Sequence, residues 1–451
     1  MIILDSKATI QKALLTPTQI NLLKSHFTLA NPMFFKMESM GKPTWATPRN
    51  LHYYEEDDEY FTVPLGGAPE ISKIIDTTNL QLIDDRFEND EKIKIKFKGK
   101  LRNYQTKASK EITSRTIGTI QATTGSGKTV IAIHAICKRK QPTLFLVNTI
   151  ELANQFRERL LQFTDIDPAN VGLIGDGKYE IRDVSVGILQ TMTKLDDDKI
   201  EKINSHFGQV FVDEVHIVPA NTFFAAMSKL RQKYRFGLTA TPFRADGLTD
   251  VIFFTTGKIV HQIDPREAEG HLIIPDIEYV ETDYKFPLFD SSEHSVMLTD
   301  MATDKARNQL IIDKYKEVGV ERQSVFISHR VAQLEELAKH IPNCAILTSK
   351  LTKKKRADIM DRLQKNELKA VLTTYGLFST GIDVGTLEVV YQCTPMRSPR
   401  WVIQTAGRLK RKAKGKDTAL VVDFVDKKIS MLRNQYYARR TTWKKIKNQE
   451  I

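Results

Sequence analysis

The chain of 451 residues reads as an α/β protein: two tandem parallel-sheet lobes preceded by a small α+β unit. Three observations predict this. Short apolar runs alternate with helical segments from about 101 to 260, the same alternation returns from about 305 to 425, and residues 1–90 have a different composition from either block. The boundaries that follow are 1–90 for the accessory unit, 91–260 and 261–425 for the lobes, and 426–451 for a basic C-terminal tail.

In the first unit, helices are expected around Ser6–Leu15 and Thr16–Phe27, the second because Thr16 precedes Pro17, a capping residue ahead of a proline at the first helical position. The acidic run 55–59 reads as a hairpin tip between Leu51–Tyr54 and Tyr60–Val63. Residues 92–98 alternate Lys and apolar side chains, as a half-buried strand would. The first lobe has expected strands at Ile117–Gln121, Thr143–Val147, Val184–Leu189, Val210–Val212 and Arg235–Leu238. The second has them at Ser324–Ile327, Cys344–Leu347, Ala370–Thr373, Val389–Gln392 and Ala419–Val422. Between the lobes, 261–304 is expected to hold a crossing segment and an early strand of the second lobe.

The formal charge is +12, yet residues 1–90 hold eight Lys/Arg against thirteen Asp/Glu, so the positive charge belongs to the lobes and tail. A polyanionic partner fits that balance. Cys137, Cys344 and Cys393 are odd in number and far apart, which suits neither a disulfide framework nor a zinc cluster and points to a reducing cytoplasm. No apolar run approaches the ~18–20 residues that span a bilayer, and the start lacks the pattern of a cleaved leader, so a soluble, intracellular protein is expected.

Residues 122–129, Ala-Thr-Thr-Gly-Ser-Gly-Lys-Thr, carry the chemistry. A glycine-bent loop between a strand and a helix presents backbone N–H groups to phosphates. Thr124, Gly125, Ser126 and Gly127 are expected to form the cradle, Lys128 to reach the β- and γ-phosphates, and the Thr129 hydroxyl to take a place on Mg²⁺. Ala122 stands where the strict pattern has its first glycine. Downstream, the apolar run Val210-Phe-Val ends in Asp213 and Glu214. Asp213 is expected to hold Mg²⁺ and Glu214 to orient or deprotonate the attacking water, because phosphoryl transfer rests on positioning and electrostatics. ATP and Mg²⁺ are the implied cofactors.

With these motifs in place, residues 101–425 resemble superfamily 2 helicases, whose lobes are RecA-like. Leu101-Arg-Asn-Tyr-Gln105 resembles the adenine-recognition motif, which implies Gln105 at the adenine edge and Arg102 beside the ring. Residues 144–149 with Gln155, and Gly187-Ile-Leu-Gln-Thr191, resemble the stretches that hold the nucleic-acid backbone, which implies roles for Thr149, Gln155, Gln190 and Thr191. Leu238-Thr-Ala-Thr-Pro242 resembles the motif coupling nucleotide to strand. Residues 373–383 look like motif V, giving Thr373 to the strand and Gly381 and Asp383 to the nucleotide. Gln404-Thr-Ala-Gly-Arg-Leu-Lys-Arg411 looks like motif VI, with Gln404 in the site and Arg408 and Arg411 as fingers on the γ-phosphate when the lobes close.

The wording of 213–216 and 237–247 is similar to the branch containing UvsW-type phage helicases and XPB-type repair helicases, as is the short first unit. That resemblance implies ATP-driven remodelling of forks, Holliday junctions and R-loops in replication, recombination or repair. A double-stranded-DNA translocase, an RNA helicase and a non-hydrolysing scaffold stay open as alternatives. The aromatics of residues 34–61 either stack on unpaired bases or fill a core. Likewise Arg433, Arg439, Arg440, Lys444, Lys445 and Lys447, with Tyr436, Tyr437 and Trp443, make either a polyanion surface or a solvated helix. Lys353–Arg356 reads as the solvent-facing start of a helix.

Overall fold

A computed structural model describes residues 1–78, 80–123, 125–215, 220–240, 244, 246–268, 272–287, 293–381, 385–396, 399–411, 413 and 415–448. The chain divides into two compact units: residues 1–123 with 127–263, and residues 264–451, with which Gly125 and Ser126 are grouped.

The first unit is built on an eight-stranded sheet. From edge to edge its strands are Lys178–Tyr179, Val171–Gly175, Val184–Ile188, Thr143–Val147, Gln209–Asp213, Tyr234–Thr239, Ile117–Gln121 and Ile259–Gln262. All neighbours are parallel except the first pair. Strands such as Thr143–Val147, buried at every position, form because helices cover both faces of a parallel sheet. The connecting helices include Asn103–Thr113, Lys128–Arg139 and Ile150–Phe163.

Residues 1–90 are welded to this lobe. Their five-stranded sheet runs Glu55–Glu56, Tyr60–Pro64, Lys7–Gln11, Ile2–Leu4, Leu82–Asp84. Phe27 and Tyr53 share one apolar core with Phe223, Ile252 and Phe254 of the lobe. The rings of Phe27 and Phe254 lie 4.9 Å apart, and those of Tyr53 and Phe224 5.0 Å. At Gly66 the two backbones nearly touch: a Cβ there would come within 2.5 Å of the Phe253 carbonyl oxygen. Behind this seam the Arg235 guanidinium is buried and donates to the carbonyls of Met227, Leu230 and Thr255, and its desolvation lowers its pKa to about 9.

Several local expectations change. Ser6–Leu15 is not a helix: Lys7–Gln11 is a strand with Ala8 and Ile10 inward, followed by a short 3-10 turn. Pro17–His26 is a helix, and Thr16 and Gln19 cap it reciprocally. The acidic tip pairs Glu55–Glu56 with Tyr60–Pro64, while Asn50–His52 instead pairs with Thr28–Ala30. Residues 92–98 bury Ile93 and Ile95 but form no strand, only an isolated bridge from Phe97 to Thr164.

The second unit holds a six-stranded, all-parallel sheet: Asp276–Glu281, Leu420–Val425, Val389–Gln392, Ser324–Ser328, Ala370–Thr374 and Cys344–Leu347. The early strand expected within 261–304 is Asp276–Glu281. The C-terminal segment is a helix, Ser430–Lys447, and it belongs to this lobe's core. Arg439 is buried and makes a bidentate pair with Asp423 at 2.9 Å for both contacts, with a third bond to the Met396 carbonyl. Trp443 is 1% exposed. Arg439, Tyr436 and Trp443 therefore leave the surface set, because burial commits them to packing; Arg433, Arg440, Lys444, Lys445 and Lys447 remain exposed. A second buried pair joins Arg307 to Asp426 at 2.9 Å.

Candidate nucleotide and nucleic-acid site

In the first unit the chemistry gathers on one edge of the sheet. The strands ending at Gln121, Thr239 and Asp213 are consecutive, so the phosphate loop, the start of the coupling motif and the acidic pair emerge side by side. Gly125 and Gly127 have φ of +90° and +86°, the left-handed bends that a phosphate cradle requires. Gly127 immediately precedes the helix Lys128–Arg139, whose N-terminal N–H groups and dipole favour an anion there. Ala122 is fully buried, its φ is not positive, and its N–H donates to the Thr239 carbonyl at 2.8 Å. A side chain is tolerated there because the bend begins later.

Lys128 is buried and its ammonium lies 2.5 Å from the Glu214 carboxylate. Glu214 has φ of +49°, a conformation costly for a side-chain-bearing residue, and it follows directly on the strand that ends in Asp213. Its backbone N–H donates to Asp213 Oδ1 at 3.0 Å. Burial, then the neighbouring Glu214 charge, push the Asp213 carboxyl above the usual carboxylate range, against the pull of Lys128. Carboxylates at the end of this strand, on the sheet edge where the loop leading to Thr129 also emerges, are oxygen donors of the kind that would hold a divalent cation.

Gln105 is buried on the helix Asn103–Thr113, with Oε1 accepting the Arg102 N–H at 3.0 Å. The Gln105 amide nitrogen lies 2.5 Å from where a Cβ on Gly127 would stand, but that amide is the movable end of a side chain, and it is the left-handed φ of +86° that favours glycine there. Arg102 Nη1 donates to the Tyr104 hydroxyl at 2.8 Å.

Toward the other half of the same edge, the adjacent strands Thr143–Val147 and Val184–Ile188 lead to Thr149, Gln190 and Thr191. Thr149 caps the helix Ile150–Phe163 by accepting the Leu152 N–H at 3.3 Å, and Gln155 is half-buried on that helix. Gln190 is exposed and Thr191 half-buried on the turn Leu189–Met192.

In the second unit, Gln404 and Arg408 sit one turn apart on the helix Pro399–Leu409, and Arg411 follows its end. The Arg408 guanidinium lies 5.4 Å over the Phe378 ring, on the helix Tyr375–Gly381. Arg411 bridges to Leu272, and the Ile273 N–H donates to the Lys410 carbonyl at 2.7 Å. Lys416 is buried and donates to the carbonyls of Leu409 and Gly385 at 2.8 and 3.3 Å, tying the arginine helix to the segment after motif V; desolvation lowers its pKa to about 8. Spacing gave no hint of this lysine. Thr373 differs from expectation: it is fully buried, and its hydroxyl donates to the Leu347 carbonyl at 3.0 Å. The side chain is therefore spent inside the sheet, and half-exposed Thr374 is the hydroxyl available at that strand end. Gly381 ends its helix; Thr124, Asp383 and residues 241–242 lie outside the described residues.

The first lobe matches the model described as "Type III restriction enzyme, res subunit" over residues 98–244, and the second matches "Helicase conserved C-terminal domain" over 304–413. The chain belongs to the superfamily 2 helicases.

A protein of Acanthamoeba polyphaga mimivirus named for an ATP-dependent RNA helicase is 26% identical over 96% of this chain and 84% of its own length. The DNA 3'-5' translocase XPB2 of Sulfurisphaera tokodaii is 26% identical over 78% of this chain and 85% of its own. Among solved structures, S. cerevisiae Dbp5 bound to RNA and ADP BeF3 superposes with a TM-score of 0.58 at 16% identity, over 76% of this chain and 88% of that one, which shows the shared two-lobe RecA-like fold. T4 UvsW aligns over 99% of this chain and 97% of its own at 18% identity and a TM-score of 0.44. The helicase is thus an ATP-dependent enzyme of nucleic acids with XPB-type relatives. Among the described residues, no helix is long and apolar enough to cross a membrane.

Proposed function

We propose that this helicase uses ATP to translocate on DNA and to unwind and branch-migrate forked, Holliday-junction or R-loop substrates. The observation that carries the motor reading is the Lys128–Glu214 pair at 2.5 Å beside Asp213, at the mouth of a loop with two left-handed glycines. ATP with Mg²⁺ supplies the reactive γ-phosphoryl group and neutralises part of its charge. Thr129 and Asp213 would hold the metal, Lys128 would pair with phosphate oxygens in place of Glu214, and the Glu214 carboxylate would orient the attacking water and take up its proton. Gly125, Ser126 and Gly127 cradle the phosphates, with Thr124 beside them in sequence. Gln105 and Arg102 read the base, while Gln404, Arg408, Arg411, Gly381 and Asp383 act on the nucleotide from the second lobe during turnover.

Thr149, Gln155, Gln190 and Thr191 hold the backbone of the strand, a grip that positions without reading sequence. DNA is favoured by the relatives named for XPB. The viral relative named for an RNA helicase supports the second reading, an RNA duplex substrate. The three free thiols, two of them buried, suit work in a reducing cytoplasm. ATP turnover and strand separation on matched forks, junctions, R-loops and RNA duplexes test the choice. Preferred unwinding of plain RNA duplexes would reject the DNA assignment.

A further inference from the structure

Residues 31–49 leave the first unit as a finger. Its base is the ribbon of Thr28–Ala30 against Asn50–His52, with Ala30 opposite Asn50. Asn31 locks that base: its side-chain oxygen accepts the Met33 N–H at 3.0 Å, and its amide donates to the Pro48 carbonyl at 2.7 Å. Its backbone N–H donates to the Arg49 carbonyl at 2.9 Å. Beyond it, the helix Pro32–Ser39 buries none of its side chains. Met33, Phe35, Met40 and Trp45 are all exposed, Trp45 to 90%.

Charge in residues 1–90 is sorted between the finger and the rest of that segment. Of the eight Lys/Arg in residues 1–90, Lys7, Lys12, Lys24, Lys73 and Arg86 are each paired with a carboxylate. The other three, Lys36, Lys42 and Arg49, are exposed, make no ion pair among the described residues, and all lie in the finger, where Glu38 is the sole acid. The body is strongly acidic, so the uncommitted cations occur only where the aromatic rings are bare. The Arg49 guanidinium already lies 5.7 Å over the Phe35 ring.

Exposed rings interleaved with free cations match one chemistry: bases that stack, joined by phosphates that need neutralising. We propose that the finger binds unpaired nucleotides of a single strand, with Trp45 and Phe35 stacking on bases and Lys36, Lys42 and Arg49 facing the phosphates. This rests on the nucleic-acid motor reading and adds a contact outside the motor lobes.

The test uses the full chain and its own fluorescence. Of its three tryptophans, Trp401 and Trp443 are 4% and 1% exposed, so long-wavelength emission reports on Trp45. Oligothymidylate, and oligouridylate in a parallel arm to separate DNA from RNA, is expected to quench that emission with the midpoint seen by anisotropy of the labelled strand. Trp45→Phe removes the signal while keeping a stacking ring. Trp45→Ala is expected to weaken single-strand binding roughly 5- to 100-fold, the scale of one lost stacked base, while ATP turnover at saturating strand persists. Saturated binding with silent Trp45 fluorescence, or unchanged affinity in Trp45→Ala, overturns the finger and leaves the motor reading standing. Quenching by protein concentration alone assigns the face to a second copy and also overturns it. No strand binding by any measure rejects both readings.

Discussion

Lys128 and Glu214 neutralise each other at 2.5 Å although 86 residues separate them in the chain. The lysine proposed to meet phosphate and the carboxylate proposed to meet water are thus ion-paired with one another, and each carries part of the other's charge in a partly buried place.

Lys128→Ala and Glu214→Gln are each expected to lower ATP turnover by at least roughly 10²-fold, the scale of losing one preorganised charge in a site that excludes water. Each single variant also strands the partner in a partly buried place. The double variant is therefore expected to be more stable to denaturant than the sum of the two singles predicts. Strict additivity of the stability changes would mean the pair is not coupled.

Asp213 gives the folded state a pH signature. Its folded pKa is raised above the ordinary 3.8 to about 6, so between those values the folded protein holds more protons than the unfolded chain. Stability then falls as pH rises through that window. Urea midpoints of the metal-free protein from pH 4 to 7 are expected to show this fall, and Asp213→Asn to lack it. At pH 7, Mg²⁺ with ATP is expected to raise the wild-type midpoint more than that of Asp213→Asn. Equal pH slopes in the two proteins would reject the assignment.

Arg411→Ala and Arg408→Ala are expected to lower kcat by roughly 10³-fold, the low end for an arginine acting on a transferring phosphoryl group, with ATP affinity little changed. That pattern marks an interaction that strengthens in the transition state. Loss of affinity with kcat intact would instead make them ground-state contacts.

The C-terminal helix separates structural charge from surface charge. Arg439→Leu leaves Asp423 buried without its partner and is expected to cost about 3–5 kcal/mol by denaturant unfolding. Exchanging Lys444, Lys445 and Lys447 for Gln is expected to leave stability within about 0.5 kcal/mol. If those three lysines meet phosphates, the same change flattens the salt dependence of strand binding.

Ala122→Gly restores the strict loop pattern and is expected to gain nothing. The residue is fully buried and has no left-handed bend to relieve. The added backbone freedom is expected to lower stability by about 0.5–1 kcal/mol, with ATP affinity unchanged in a binding titration.

The lobes were legible because their strands are continuous apolar runs, and Thr143–Val147 is buried at all five positions. In the candidate site, the contiguous stretches 122–129 and 213–214 pointed to strand ends that the structure brings to one edge of the sheet. What escaped was set by distant partners. Lys7–Gln11 carries a period-two pattern with Ala8 and Ile10 inward, but it is a strand because Ile2–Leu4 and Tyr60–Pro64 flank it. In 92–98 the same alternation reports burial without strand pairing. Arg439 looked like surface charge because Asp423, sixteen residues earlier, neutralises it out of sight. Thr373 lies in the expected motif, but register turns its hydroxyl toward Leu347.

The seam between residues 1–90 and the first lobe has a mechanical meaning. Phe27, Tyr53 and Phe254 interlock in one core, and at Gly66 the backbones are too close for even a methyl group. A joint packed this way has no slack to bend. The base of the finger, Thr28–Ala30 against Asn50–His52, is therefore anchored to the lobe through that core, as a bracket is set into a wall.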